Sequence, residues 1–301
     1  RNSPREAKDG AATDDDADFI TYGLASSFEY LDLAGNEHHL QVNGSAKCRD
    51  VDWRGASPSR LDFDATAVGI SYHYLRYHEM LGNEGFFTIG IDSTYDDCNS
   101  ETKADYGNSS SDYKRYSTAA FVQGALGLTE SLSIVAGSRA ERMWSEWSGT
   151  SQLRSIWNEW AWDLALNWKA AENLRAFART SRFFRAPFCD EMNYVAFGDE
   201  LVPESGYSFD LGFEADLFEE LSFDLTLYLM RTDDEIFYNP YSDSSFGYWL
   251  GYNENSPAVT ERLGGDLSLK WERKRVAKLA ISYSCVEATF REGSYNGKDI
   301  P

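Results

Sequence analysis

The feature that most constrains this chain is an alternation of apolar and polar residues that returns along most of its length. It is clearest at 221–230, where Leu221, Phe223, Leu225, Leu227 and Leu229 interleave with Ser222, Asp224, Thr226, Tyr228 and Met230. Side chains of a strand point alternately to opposite faces, so the pattern gives a sheet with one aliphatic face and one mostly polar face. Phe209, Leu211 and Phe213 repeat it just upstream, and the short stretch 217–220 joins the two runs as an antiparallel hairpin. The same grammar recurs at Ile20/Tyr22/Leu24, Val68/Ile70/Tyr72/Tyr74, Leu132/Ile134/Ala136, Trp160/Trp162/Leu164/Leu166/Trp168 and Leu279/Ile281/Tyr283. About twelve strands are expected, many of them reaching the roughly 9–11 residues with which a tilted strand crosses a bilayer.

The connections sharpen the reading. Short turns are expected at 34–37, 80–85, 129–131, 170–173, 218–220 and 272–277, and long polar loops at 48–60, 96–114, 144–157, 185–205 and 232–258. A soluble antiparallel sheet with one solvated face alternates equally well. Placing every long loop at one end is instead the habit of an outer-membrane barrel, in which a polar second face lines a wet lumen. Tyr30, Trp168 and Trp271 stand beside short turns, where an interfacial aromatic girdle belongs.

Composition excludes several alternatives. The 301 residues carry 28 basic against 49 acidic side chains, a net charge of −21, which argues against a nucleic-acid footprint and against a face docked on anionic lipid. No apolar run is long enough for a transmembrane helix. A mean hydropathy of −0.50 says nothing about a barrel, whose apolar face is carried by alternate residues. Cys48, Cys98, Cys189 and Cys285 are scattered without zinc spacing, so no metal site is expected, and spacing alone does not show whether any pair bridges. His38, His39, His73 and His78 belong to no catalytic motif, and Asp233-Asp234 and Glu219-Glu220 have no local reason to titrate abnormally. Neither an enzyme nor a cofactor is expected.

Specific motifs then carry a resemblance. Residues 181–192 read Ser-Arg-Phe-Phe-Arg-Ala-Pro-Phe-Cys-Asp-Glu-Met, and 201–212 read Leu-Val-Pro-Glu-Ser-Gly-Tyr-Ser-Phe-Asp-Leu-Gly. With Asp234-Glu235-Ile236-Phe237-Tyr238, the Phe121-Val122-Gln123 and Ala136-Gly137-Ser138-Arg139 strands, and the closing Ala288-Thr289-Phe290, they resemble the β-barrel of TonB-dependent outer-membrane receptors. The motif residues are Phe184, Arg185, Ala186, Pro187, Asp190, Glu191, Pro203, Glu204 and Gly212; residues 1–110 match in rhythm only.

The resemblance implies an all-β, antiparallel, up-and-down transmembrane barrel segment over 1–301, about 12 strands of a barrel of about 22, with the plug domain absent. It further implies the outer membrane of a Gram-negative bacterium, contact with its lipid, uptake of a ferric siderophore or similar scarce ligand, and the TonB energy-coupling complex as partner through a plug region missing here. The alternative is a passive, porin-like or structural outer-membrane barrel. Candidate ligand contacts are Arg182 and Arg185, where a strand meets an external loop, and the loop aromatics Trp144, Trp147, Tyr238, Tyr241, Tyr248 and Trp249. The structural alternative is that the arginines pair with lumen carboxylates such as Asp210 or Glu214.

Overall fold

The computed structural model describes residues 16–54, 58–80, 82–104, 107–149, 152–192, 195, 199–218, 220–243, 250–273 and 276–300. Its strands are β1 (Asp16–Leu31), β2 (Glu37–Trp53), β3 (Ser59–Met80), β4 (Asn83–Ala104), β5 (Gly107–Gly127), β6 (Leu132–Ser148) and β7 (Gln152–Ala171). They continue with β8 (Leu174–Arg185), a single helical turn α1 (Cys189–Met192), β9 (Glu204–Phe218) and β10 (Leu221–Asp233). The last are β11 (Ile236–Asp243), β12 (Leu250–Asn255), β13 (Thr260–Arg273) and β14 (Ala277–Phe290). Twelve strands form one antiparallel sheet in chain order, from β1 through β10 to β13 and β14, and β11 with β12 make a separate hairpin inserted between β10 and β13. The expected twelve strands correspond to this sheet.

Register sorts the side chains. Val122 pairs with Ile89, Leu166 with Ile134 and Ala178, and Phe209 with Leu229 and Thr180, so the apolar alternates of neighbouring strands share one face. Leu24, Val42, Ile70, Ile91, Val122, Leu164, Phe209, Leu263 and Ile281 all lie on that face, and each is 41–78% exposed. A soluble sheet of this width would leave an apolar patch far larger than water tolerates, so this face requires an apolar surrounding. Its rims are aromatic. Near the short turns stand Tyr30 and Trp168, both about half exposed, and toward the other end run Tyr95, Tyr116 and Trp144, with ring centroids 4.5 and 5.4 Å apart. From Trp160 to Trp168 the strand rises about 27 Å at about 3.4 Å per residue, the order of the apolar band of a membrane barrel.

Beyond the second rim the outward face changes character. Arg60 bonds Asp50 at 2.6 Å and Asp62 at 3.0 Å, Lys103 bonds Glu101 at 3.1 Å, and Arg154 bonds Glu146 at 2.8 Å. All of these strand residues but Asp62 belong to the stretches expected as loops at 48–60, 96–114 and 144–157. The structure corrects that expectation: the strands stay paired, as in Trp53↔Ser59, Ala104↔Gly107 and Ser148↔Gln152. Polar composition had suggested loop, but a ladder persists in water whenever its backbone groups find partners, and its side chains are then free to be charged on both faces. What differs between the two ends is how far the strands project. True connections remain at 186–203 and around the β11–β12 hairpin.

At the short-turn end the β1–β2 connection shows local sequence at work. Asp32 accepts the Ala34 and Asn36 backbone N–H groups at 2.8 and 2.9 Å and the Asn36 side-chain amide at 2.7 Å. These bonds, the side-chain one foremost, bring its carboxyl down to about 2. Gly35, at φ 81°, takes the left-handed position that the turn needs.

The two faces predict opposite tolerances at adjacent positions. Val122→Arg, midway across the apolar band, should lower stability by about 2–4 kcal/mol. Gln123→Arg, on the inward face, should change it by less than about 0.5 kcal/mol. Guanidinium-induced unfolding of the vesicle-inserted protein measures both, and equal costs would contradict the face assignment.

Candidate functional site

The inward face of the projecting strands carries the one compact core among the described residues. Val51, Leu61, Phe63, Cys98 and Tyr113 come from β2 to β5, and Met192 and Leu201 come from the 186–203 connection that folds over them. Trp147 and Cys189 pack against the same cluster. The described parts of the connection therefore cover part of the inner wall.

Arg185, the last residue of β8, organises this cover. Its guanidinium binds Glu204, which opens β9, at 2.6 and 3.2 Å, and Glu191 of α1 at 2.8 Å, while lying 4.9 Å from the Phe188 ring centroid. Burial opposes its charge, but the bonds to Glu191 and Glu204 outweigh that and raise its pKa. Both carboxylates are in turn bound from the backbone: Glu191 accepts the Phe188 N–H at 2.7 Å and Glu204 accepts the Ile236 N–H at 3.1 Å. A second arginine, Arg115 of β5, pairs with Asp96 at 2.8 Å and donates to the carbonyl of the buried Pro187 at 3.1 Å. A planar fork can bridge two carboxylates on different segments, which a single ammonium does less well.

The β11–β12 hairpin is fastened to the same assembly. Asn253 donates to the Glu191 carbonyl at 2.8 Å, and Asn255 exchanges bonds with the Val202 backbone at 2.9 and 3.0 Å. Glu235, just before β11, accepts two bonds from Arg262 of β13, at 2.5 and 2.9 Å, and one from the Thr260 hydroxyl. Burial pushes its carboxyl up, yet the Arg262 and Thr260 bonds prevail and hold it below its ordinary value.

Beneath the cover sit two donors without acceptors. Tyr113 and Trp147 are directly opposite each other on β5 and β6, and the Tyr113 hydroxyl and the Trp147 indole N–H are buried with no hydrogen-bond partner. Removing polar groups from water without compensation costs free energy, so a polar ligand reaching this pair would relieve it. Tyr113 had no sequence signal of its own, since a tyrosine in a polar strand is unremarkable.

The structure separates the residues that the sequence grouped. Arg185 meets Glu191 and Glu204 in place of the expected Asp210 or Glu214. Arg182 stands three residues away and so begins on the opposite, outward face, opposite Trp162; its guanidinium lies 5.0 Å from the Trp160 ring centroid and reaches Glu159 at 3.3 Å. Trp144 and Trp147 are strand residues of β6, not loop residues, and the same parity puts Trp144 outward against Tyr116 and Trp147 inward. Tyr238 is exposed on β11, which also contains Tyr241; Tyr248 and Trp249 lie outside the described residues. Among the motif residues, Phe184 is on the outward face, Pro187 and Pro203 are buried, Asp190 is exposed on α1, and Ala186 follows the strand end. Gly212 is required by contact: a Cβ there would fall 1.9 Å from the ring of Phe177, which lies across it from β8.

The family model described as TonB dependent receptor-like, beta-barrel, matches residues 2–301. Among curated proteins no match is found. Solved structures with the same fold include the alcaligin outer membrane receptor FauA of Bordetella pertussis, 17% identical, with a TM-score of 0.69 over 93% of this chain and 48% of that one. The ferric yersiniabactin uptake receptor FyuA of Yersinia pestis is 14% identical, with a TM-score of 0.72 over 95% and 45%. The copper transporter OprC is 13% identical, with a TM-score of 0.77 over 95% and 49%. The chain thus spans about half the length of these structures.

Two expectations follow for the cover. Arg185→Ala should weaken its docking by about 2 kcal/mol or more, a charge-assisted bond being worth roughly 1.5–3 kcal/mol. Limited proteolysis should then cut within 186–203 while the barrel keeps its heat-modifiable gel mobility, and Arg185→Lys should not restore protection. Acidification should loosen the hairpin. The Glu235 carboxyl titrates lower in the fold than in the unfolded chain, so its contribution is complete above its ordinary value of 4.5 and is lost as pH falls through the lower, folded value. Hydrogen exchange at residues 236–260 should accelerate over that range and not in Glu235→Gln, whose exchange should already be fast at neutral pH.

Proposed function

Because the chain belongs to the TonB-dependent receptor β-barrel family, we propose that it forms about half of an outer-membrane receptor importing a ferric siderophore with energy supplied through TonB. The observation that supports a ligand-capturing role is the Tyr113–Trp147 pair, two buried donors without acceptors under a cover that ion pairs hold down. Aromatic side chains with a free polar end suit a large, polar-rimmed chelate. The apolar outer face, edged by Tyr30, Trp168, Tyr95, Tyr116 and Trp144, is suited to outer-membrane lipid. β1 and β14 each have one neighbour in the sheet, and an open edge is not tolerated in hydrocarbon, so both pair with further strands of the receptor in the membrane. The plug and its coupling segment, which the family's mechanism requires, would be contributed by the rest of the receptor.

In this reading external capture at the inner wall precedes movement of the plug. Iron-limited growth of cells lacking the gene, supplied in turn with ferric hydroxamate, ferric catecholate and ferric citrate, tests it. Growth on one chelate should fail, return with the intact gene, and require TonB. Tyr113→Ala with Trp147→Ala should weaken that chelate's binding by roughly 30-fold, the scale of about 2 kcal/mol for an aromatic anchor. Uptake that persists without TonB would overturn the energy-coupled reading, and normal growth of the deletion strain on all three would overturn siderophore import.

A further inference from the structure

The four cysteines occupy two kinds of surrounding. Cys48 and Cys285 are exposed on the outward faces of β2 and β14. Cys98 lies on the inward face of β4 opposite Tyr113, only 6% exposed, and Cys189 begins α1 in the cover above it. Far apart in sequence, these two free thiols share one cluster, in which Cys98 is buried and against which Cys189 packs. Independent interactions on either side hold them there. Arg115, one step along the neighbouring strand face from Tyr113, binds the Pro187 carbonyl, and Arg185 binds Glu191.

We propose that Cys98 and Cys189 form a disulfide that fastens α1 to β4. This rests on the outer-membrane reading above, since disulfides form and persist in the cell envelope outside the cytoplasm. Cys189 is the attacking group: the neighbouring Cys98 thiol keeps its own thiol below the ordinary value, favouring the thiolate. Its thiolate attacks a sulfur of an oxidised dithiol–disulfide exchange protein, forming a mixed disulfide and releasing one partner thiolate. Cys98 then gives up its proton and attacks the Cys189 sulfur, releasing the partner's second thiolate. Two electrons and two protons pass to the partner, which leaves as a dithiol.

Peptide mapping of the full-length receptor, alkylated in outer membranes and digested without reductant, is the test. A peptide linking Cys98 to Cys189 is expected, with Cys48 and Cys285 recovered alkylated. Cys98→Ser should expose Cys189 to alkylation, whereas Cys48→Ser and Cys285→Ser should leave the link intact. Recovery of Cys98 and Cys189 as alkylated thiols from outer membranes would overturn the proposal. So would protection of both thiols by copper(I) that bicinchoninate removes, which would make the cluster a sulfur-ligand site. If the receptor fractionates elsewhere, mapping of the purified protein equilibrated with oxidised glutathione separates the two readings. A link formed there supports the pairing and places the fault in the assigned location, and two free thiols overturn the pairing itself.

Discussion

Hydrocarbon offers no hydrogen bonds, so every backbone N–H and C=O that crosses it must be paired within the protein, and the rest of this structure depends on that constraint. The uninterrupted antiparallel ladder from β1 to β14 meets it. Once pairing is fixed, the two-residue period of a strand leaves each side chain only a choice of face. The outward face then takes Val122, Leu164 and Phe209, and the inward face takes Gln123, Asp163 and Asp210.

The same ladder explains what happens beyond the apolar band. The strands continue upward because their backbone groups are still paired, and with water on the outward side Arg60, Lys103 and Arg154 find acidic partners where aromatic and aliphatic residues stood lower down. On the inward side the projecting walls offer a surface on which the 186–203 connection can bury Met192 and Leu201. Ion pairs lock it there, and they are partly shielded, which makes them firmer than pairs on an open surface.

Much of the fold was legible from residue order. The hairpin of β9 and β10, the short turns and the aromatic residues beside them follow from alternation and turn chemistry, both local properties. The projecting strands were missed because their charge and serine content resembles loop, and pairing across strands is not a local property. The site was legible in part. The Arg185-Ala186-Pro187 and Pro203-Glu204 motifs bracket the connection that the structure lays over the core, but the partnership of Arg185 with Glu191 and Glu204 joins residues whose separation carries no period. Trp144 read as loop for the same reason as the projecting strands, and that Arg182 and Arg185 lie on opposite faces follows from strand parity, which is fixed only once the strand is paired.

By itself, then, the sequence determined an antiparallel sheet with one apolar face, and its motifs pointed to the receptor family, because alternation and turn signals act between neighbours in the chain. Only the tertiary structure decided which residues meet inside. Register between distant strands brings Tyr113 beside Trp147, and the folding back of 186–203 brings Cys189 to Cys98 and Glu191 to Arg185. Those encounters depend on chain closure over long separations, where packing and ion pairing select one arrangement among many that the local pattern allows equally.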